Sequence, residues 1–296
     1  MIESVLAADG GLGALRVVRT CQRLGIKAVA LTSADRVNKQ ARKADDVVLL
    51  SEAEWSSAAA VVAAAKAADV DAVHPGLGPL AGDAVFAEEA DAAGLVAAVA
   101  TGSFGAGEIV AALAAESISF RAGPAEFEVL VFGTDSGVVV LGDLGVDGEC
   151  HVAPARGLSD AEREAVHRTG HAVGVVLSIR GLASIGMAAD QVCGVRPGLA
   201  PGQSAWEMAS GVDLVELQLT ALTGELPAEL LTAGPPLVTG FAITGEAPAT
   251  DADAPAGMRR EVFAAGNEER VRITVHAADE IAARAAFAAA LFDPTR

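Results

Sequence analysis

The stretch IESVLAADGGLGALRVVRTCQRLGIKAVALTS, residues 2–33, contains the pattern that decides the fold of this chain. An apolar run at residues 2–8 ends at the turn Asp9-Gly10-Gly11, and a second apolar run follows at residues 27–33. Between them, apolar side chains recur at helical spacing until Gly25, namely Leu12, Leu15, Val18, Cys21 and Leu24. The order predicts a strand, a glycine-rich turn, a helix and a second strand.

The same alternation continues through the first hundred residues. Residues 47–50 and 71–76 are typical of buried strands, and residues 56–68 of a helix between them. Strands that alternate with helices form a parallel sheet with right-handed crossovers. We therefore expect an N-terminal, doubly wound α/β domain.

The pattern changes after residue 100 and becomes α+β. Residues 126–145 predict a hairpin around Asp135-Ser136-Gly137 rather than a crossover. The other elements predicted there are helices at 108–117, 160–177, 212–225 and 278–292 and a strand at 270–276. The small, acidic stretch at 246–257 predicts a flexible loop, whose role the sequence does not assign.

Composition limits the classes of partner. The 296 residues are 52% hydrophobic and carry a net charge of -18, which suits a sizeable core and disfavours binding to nucleic acid. No window has the 18 or so bulky apolar residues of a membrane-spanning helix. The N-terminus has no signal-peptide pattern and the three cysteines are widely spaced, so the expected location is the reducing cytoplasm.

Few residues outside the glycine-rich turn suggest chemistry by themselves. That turn matches neither nucleotide-binding glycine pattern, so we expect a tight turn in which glycine supplies positive φ, with phosphate binding as the less favoured alternative. His74, in His-Pro-Gly, is expected to anchor a loop. His167 and His171 have ligand spacing but no third ligand on their helix, so we expect a solvated face rather than a metal site.

Several phrases together resemble a known family. LAADGGLGALRVVRTCQRLGIKAVALTSADR, KADDVVLL and DVDAVHPGLGPLAGDAVFAEEADAAGL are similar to the N-terminal domain of biotin carboxylase, the ATP-grasp subunit or domain of acyl-CoA carboxylases. Further on, EMASGVDLVELQLTALTGELP, GFAI and VRITVHAADEIAARAAFAAAL resemble later segments of that family. The resemblance implies three parts: a biotin carboxylase N-terminal-like α/β domain at 1–100, a reduced ATP-grasp-like α+β domain at 101–226, and a truncated C-terminal-like region at 227–296.

The same resemblance implies that the catalytic parts are lost. The lid subdomain of the family would fall between Gly123 and Glu126, where two residues stand, and no lysine follows Lys66. The two metal-binding glutamates of the family correspond to Gly186 and Gly194. Further site positions of the family correspond to Arg196, Gly198, Ala200, Gly202 (the base) and Glu246 (the biotin-facing arginine). We therefore expect no catalytic, metal-binding or cofactor-binding residue and no cofactor.

Three hypotheses follow from the resemblance. The first is a catalytically inactive pseudoenzyme of this ligase family, a structural or regulatory subunit of an acyl-CoA carboxylase complex that forms a homodimer or a heterodimer with a carboxylase subunit. The second is a small-molecule-binding protein or repurposed enzyme that uses the vacated cleft, with His74, Arg180, Arg196 and Glu207 as candidate contacts. The third is residual ATP-dependent biotin carboxylase or ligase activity.

Overall fold

The computed structural model describes residues 2–33, 41–224, 240–247, 257–265 and 268–292. It divides into two compact units. Unit 1 comprises Met1–Thr101, Asp213–Leu226 and Val262–Glu269, and unit 2 comprises Gly102–Val212, Pro227–Glu261 and Arg270–Arg296. Each unit is described by itself.

Unit 1 contains the predicted parallel sheet. Its five strands are β1 (Ser4–Ala7), β2 (Lys27–Thr32), β3 (Asp46–Leu49), β4 (Ala72–His74) and β5 (Val96–Ala97), in the order β3-β2-β1-β4-β5. Its helices include α1 (Leu12–Arg23), α2 (Ala58–Ala67) and α3 (Ala84–Ala92). All the pairings between neighbouring strands are parallel, which confirms the α/β prediction.

Burial explains why these segments form the sheet. The central strands carry apolar side chains that are covered on both sides, such as Leu6, Val29 and Val73, and Phe86 of α3 packs in the same cluster. Near-continuous apolar runs are what a parallel sheet covered by helices on both faces requires.

Glycine is needed in and next to the glycine-rich turn because a side chain would not fit there, and not because the backbone has a positive φ. None of its glycines has a positive φ, so the expectation of left-handed glycine there was wrong. A Cβ on Gly13 would lie 2.1 Å from Oδ2 of Asp9 and 2.4 Å from the backbone nitrogen of Leu77. The Asp9 carboxylate accepts hydrogen bonds from the backbone N–H groups of Gly10 (2.6 Å) and Leu77 (2.9 Å), and thereby ties the turn to the loop after β4.

Asp9 also argues against phosphate binding at the glycine-rich turn. Burial raises its pKa, and backbone hydrogen bonds from Leu77, Gly10, Gly11 and Ala14 lower it without cancelling that rise. A side chain of the protein thus already takes N–H groups at the start of α1 that a bound anion would use.

Gly13→Ala is expected to destabilise unit 1 by about 1–3 kcal/mol, because the added methyl group overlaps a backbone atom that cannot move alone. Hydrogen exchange of peptides from β1 and β4, followed by mass spectrometry, measures the loss. The control is Gly107→Ala on an exposed helix of unit 2, where a Cβ has no atom within 4 Å. That variant is expected to gain about 0.5–1 kcal/mol. Unchanged exchange in Gly13→Ala would contradict the packing explanation.

The helix α7 (Leu214–Leu222) belongs to unit 1, although it is far from β1 in the sequence. Its N-cap residue Asp213 accepts hydrogen bonds from Val215 and Glu216 within the helix and from Thr20 (2.7 Å) and Arg23 (2.9 Å) of α1. The cap therefore also fixes α7 against α1.

Unit 2 contains most of an eight-stranded sheet in the order β10-β9-β6-β7-β8-β11-β13-β12, of which residues 262–265 and 268–269 are assigned to unit 1. Its strands are β6 (Phe127–Thr134), β7 (Gly137–Asp147), β8 (Cys150–Ala153), β9 (Gly181–Ala188), β10 (Gln191–Pro197), β11 (Phe241–Ala247), β12 (Met258–Ala265) and β13 (Glu268–Ala277). The predicted hairpin is confirmed as β6 and β7, which pair antiparallel. Of the predicted acidic loop, residues 248–256 lie outside the described residues.

Among the described residues, four helices accompany this sheet, α4 (Ala106–Ala115), α5 (Asp160–Val176), α6 (Gln203–Ser210) and α8 (Glu280–Phe292). A capping box of Ser159 and Glu162 starts α5. This helix covers one face of the sheet, where Val166 and Val173 join an apolar cluster with Val129, Val131 and Ile185. Side chains of neighbouring positions on β6 and β9 point to the opposite face, where the cavity described below lies. Among the helices within the described ranges, none combines the length and apolarity needed to cross a bilayer.

Candidate functional site

A cavity of about 420 Å³ opens beside strands β6, β9 and β10 of unit 2. Its lining residues are Gly123, Pro124, Ala125, Glu128, Ser184, Gly186, Cys193, Gly194, Val195, Arg196 and Pro197. The pairing of the strands brings these residues together. Gly186 on β9 pairs with Glu128 on β6 and with Gly194 on β10, and Ser184 on β9 pairs with Arg196 on β10.

The two glycines of the cavity are the positions that the resemblance assigns to lost metal-binding glutamates. They lie directly opposite each other on neighbouring strands. A Cβ on Gly194 would meet no atom within 4 Å, and one on Gly186 would approach Cβ of Ala125 to 3.1 Å. In the portions of the chain that the structure describes, no group of three histidine, cysteine or acidic side chains could hold a metal ion.

Arg196 and Glu128 form the charged part of the cavity. Nη1 of Arg196 donates to Oε1 of Glu128 over 3.3 Å. The Arg196 side chain is 57% exposed and the Glu128 side chain 6% exposed. The second oxygen, Oε2 of Glu128, is buried without a hydrogen-bond partner in the described chain. A buried carboxylate oxygen without a hydrogen-bond donor carries an uncompensated desolvation cost.

Sequence reasoning selected Arg196 and missed Glu128. The available signal was a single acidic residue inside the otherwise apolar strand sequence FEVLVF, at residues 127–132. In a buried strand such a residue needs a partner or a function.

A second polar layer lies next to this pair. The amide Nε2 of Gln203 donates to Oγ of Ser184 over 3.0 Å, and its Oε1 accepts from the backbone N–H of Ala200 over 2.9 Å. These bonds join the start of α6 to β9. Because Ser184 and Gln203 are both buried, the hydroxyl group on the cavity wall is held in position.

His151 lies within electrostatic reach of the charged pair. Burial lowers its pKa, the charge of Glu128 opposes that shift, and the charges of Arg272 and Arg196 add to it. A Cβ on Gly202 would lie 2.4 Å from the His151 ring. Gly202 is the position that the resemblance assigns to the catalytic base of the family, and any side chain there would collide with this imidazole.

The other sequence-predicted contacts lie elsewhere. Arg180 is not among the lining residues of the cavity; its side chain is 47% exposed and lies 3.7 Å from exposed Asp135. Glu207 is also absent from the lining, and its buried carboxylate accepts a 2.8 Å hydrogen bond from Arg259. His74 belongs to unit 1.

His74 is buried at the end of β4, where Nδ1 accepts the backbone N–H of Gly76 over 3.0 Å. Burial, with the charge of Arg16, lowers its pKa to about 4. Nε2 faces the side chain of Gln218, although the two groups do not reach hydrogen-bond geometry. The neutral ring thus shapes the His-Pro-Gly loop.

His167 does not lie on a solvated face, so that expectation was wrong for this residue. Its Nε2 is 2.8 Å from Oδ2 of Asp143, whose side chain is 4% exposed. Asp143 also accepts from Arg163 and from the backbone N–H of Ala155. His171, one turn later, is exposed as expected. The i, i+4 spacing therefore places one histidine against a buried carboxylate and the other in solvent.

Comparison with known proteins assigns the first third of the chain. Residues 1–98 match the family model for the N-terminal domain of biotin carboxylase. This part of the chain is similar to biotin carboxylase. It is 42% identical over 101 residues to a biotin carboxylase from Allochromatium vinosum, an alignment that covers 32% of this chain and 22% of that protein. It is also 42% identical over 99 residues to the mitochondrial methylcrotonoyl-CoA carboxylase subunit alpha of Oryza sativa, covering 32% and 13%.

The chain spans about a fifth of the length of the bacterial relatives it matches. Solved structures extend the likeness of fold to nearly all of it. A biotin carboxylase complex from Campylobacter jejuni aligns with a TM-score of 0.85 at 17% identity, covering 99% of this chain and 91% of that one. A multifunctional pyruvate carboxylase from Rhizobium etli aligns with a TM-score of 0.84 at 19% identity, covering 97% and 32%.

Proposed function

We propose that this chain is a catalytically inactive biotin carboxylase-like protein that serves as a structural or regulatory subunit of an acyl-CoA carboxylase complex in the cytoplasm. The observation that carries the proposal is the pair Gly186 and Gly194, which face each other across β9 and β10 on the wall of the cavity. The division into the segments 1–100, 101–226 and 227–296 is part of the same proposal.

The chemistry that the resemblance implies explains why this pair matters. Phosphoryl transfer from ATP depends on metal ions and cationic side chains that neutralise the phosphates. Glycine offers no side-chain ligand to a metal ion, and the sequence contains no lysine after Lys66. Each missing charged partner removes about 3–4 kcal/mol of transition-state stabilisation, so the combined loss supports an inactive protein.

The preserved framework supports a role in an assembly. The apolar strands of unit 1 and the Asp213 cap on α7 maintain the fold even though the charged positions are replaced. The similar proteins include a subunit of methylcrotonoyl-CoA carboxylase and a multifunctional pyruvate carboxylase. Formation of a homodimer, or of a heterodimer with a carboxylase subunit, would require this framework but not the transfer of a phosphoryl group from ATP.

Isothermal titration calorimetry with ATP, with and without Mg²⁺, tests the inactivity. We expect no binding heat under conditions that detect a Kd of about 1 mM, because the charged groups that would hold the nucleotide are absent. A bicarbonate-dependent ATPase assay runs in parallel, with an active biotin carboxylase as positive control. Magnesium-dependent binding or turnover would overturn inactivity and favour the alternative of residual ligase activity.

Co-purification from the native host tests the role in a complex. The tagged chain should co-elute in size-exclusion chromatography with a biotin-bearing carboxylase subunit, detected with labelled streptavidin. Biotin-free tagged protein of similar size serves as control. Elution without any carboxylase subunit would overturn the assignment to a complex.

A further inference from the structure

We infer that the cavity of unit 2 binds a small zwitterion of the α-amino acid class, with its carboxylate on Arg196 and its ammonium group on Glu128. The inference goes beyond the proposed subunit function and does not depend on it. It rests on a cavity in which the carboxylate of Glu128, an acceptor, lies next to the guanidinium group of Arg196, which has several N–H donors.

Arg196 is arranged to receive an anion. Within the residues that the structure describes, Glu128 is the acceptor at hydrogen-bond distance, and that single contact of 3.3 Å uses one of the terminal nitrogens. More than half of the side chain is exposed, so further N–H donors remain available. A guanidinium group binds a carboxylate through two parallel hydrogen bonds, and this geometry is stronger than a single contact.

Glu128 is arranged to receive a cation. Its side chain is more than nine-tenths buried and lines the cavity, and Oε2 has no hydrogen-bond partner among the described residues. The Arg196 contact satisfies Oε1 only. Oε2 is covered by the surrounding protein, so an ammonium group in the cavity would reach it after a rotation of the Glu128 carboxylate, and would then donate to it and remove the desolvation penalty that this oxygen now carries.

Charge and size restrict the ligand further. The cavity wall contributes one positive and one negative side chain, so a ligand without net charge matches it best. A phosphate group would bring at least one uncompensated negative charge next to Glu128, in a protein of net charge -18. The volume of about 420 Å³ is near the lower end for ligand sites, which suits a small molecule.

The glycines give the ligand access. Gly186 and Gly194 place no side chain between the solvent and the charged pair, and Gly194 has open space above it. The resemblance implies larger side chains at these two positions, so glycine leaves a wider approach to Arg196.

Calorimetry and cysteine protection test the inference on the intact chain. The probes are glycine, L-alanine, L-serine and L-leucine, followed by the N-acetyl and the amide derivatives of the tightest binder. Cys193 lines the cavity, so a bound amino acid should slow its alkylation by iodoacetamide. Cys150, which is outside the lining, is the internal control. We expect binding by at least one amino acid, protection of Cys193 alone, and weaker binding by both derivatives.

Two arginine variants separate the cavity from the general charge of the protein. Arg196→Gln should weaken binding by about tenfold to a hundredfold, since it removes a charge-assisted contact. Arg180→Gln removes the same charge from a half-exposed site outside the cavity and should leave binding unchanged. Glu128→Gln should abolish the preference for the free ammonium over the N-acetyl derivative.

Absence of both heat and protection with all four amino acids would overturn the inference. Equal affinities in the wild-type and Arg196→Gln proteins would also overturn it, and Arg196→Gln is expected to fold because the glutamine amide can still donate to the buried Glu128 carboxylate. Binding of MgATP in the same cavity would instead overturn the proposed function, so the two failures are distinguishable.

Discussion

Asp143→Ala is expected to lower the free energy of unfolding of unit 2 by about 3–5 kcal/mol, the cost of removing one partner from a buried ion pair. The Asp143 side chain is 4% exposed. It accepts from Arg163, from the ring of His167 and from the backbone N–H of Ala155. Its removal leaves this N–H and Nη1 of Arg163 without their acceptor, although Nη2 of Arg163 still donates to the carbonyl oxygen of Ala155.

The matched control lies on the same helix. Glu164 and Arg168 form an i, i+4 ion pair in which both side chains are about two-thirds or more exposed. Glu164→Ala should change stability by less than about 0.5 kcal/mol. Hydrogen exchange of peptides from β6, β7 and α5 measures both variants. Similar small effects in the two variants would contradict the structural role of Asp143.

Asp143 also makes the stability of unit 2 depend on pH in the acidic range. Burial raises the pKa of Asp143, but hydrogen bonds from His167 and Arg163 outweigh burial and hold the pKa below its ordinary value. A carboxylate whose pKa is lower in the folded state contributes stability that is complete above its unfolded pKa of about 4 and is lost as the pH falls further. In Asp143→Ala this part of the acid dependence should disappear.

Acidification from pH 6.5 to pH 4 is expected to destabilise unit 1 by about 3 kcal/mol through His74 alone. Burial, with the charge of Arg16, lowers the pKa of His74 from 6.5 to about 4. Between these values the unfolded chain binds a proton that the folded chain does not bind. Stability from this group is therefore complete above pH 6.5 and decreases as the pH falls through that window.

The comparison of His74→Gln with wild type isolates this contribution from other acidic groups of unit 1. The variant loses the imidazole that receives the Gly76 N–H and should be less stable at neutral pH. However, its stability should depend less on pH between 6.5 and 4. His171→Gln, at an exposed site, should keep the wild-type dependence. Peptides from β1 and β4 provide the readout, and an unchanged slope in His74→Gln would contradict a buried neutral histidine.

The elements of unit 1 were predictable because their signals are local. The strand, turn, helix and strand over residues 2–33 follow from apolar spacing within a few residues, and the structure places β1, α1 and β2 there. Turn chemistry was similarly local for the hairpin around Asp135-Ser136-Gly137. Such patterns act through the periodicity of the backbone, which does not depend on distant segments.

The reasons for individual residues were not local. The glycines of the first turn were expected to supply positive φ, whereas the structure shows that Gly13, at the start of α1, makes room for Asp9 and for the backbone of Leu77. His167 was assigned to solvent because the sequence does not show that β7 places Asp143 beneath α5. In both cases the deciding neighbour comes from another segment of the chain.

By itself the sequence determined an α/β first part, an α+β second part, and the likeness of the N-terminal third to biotin carboxylase. Only the tertiary structure decided that Gly186 and Gly194 face each other, and that Arg196 meets Glu128, which lies 68 residues away. The physical reason is that strand periodicity specifies which face a side chain occupies, whereas strand order and register specify its neighbours. Here β9 lies between β6 and β10, and this arrangement brings a buried carboxylate and an exposed guanidinium group to one cavity.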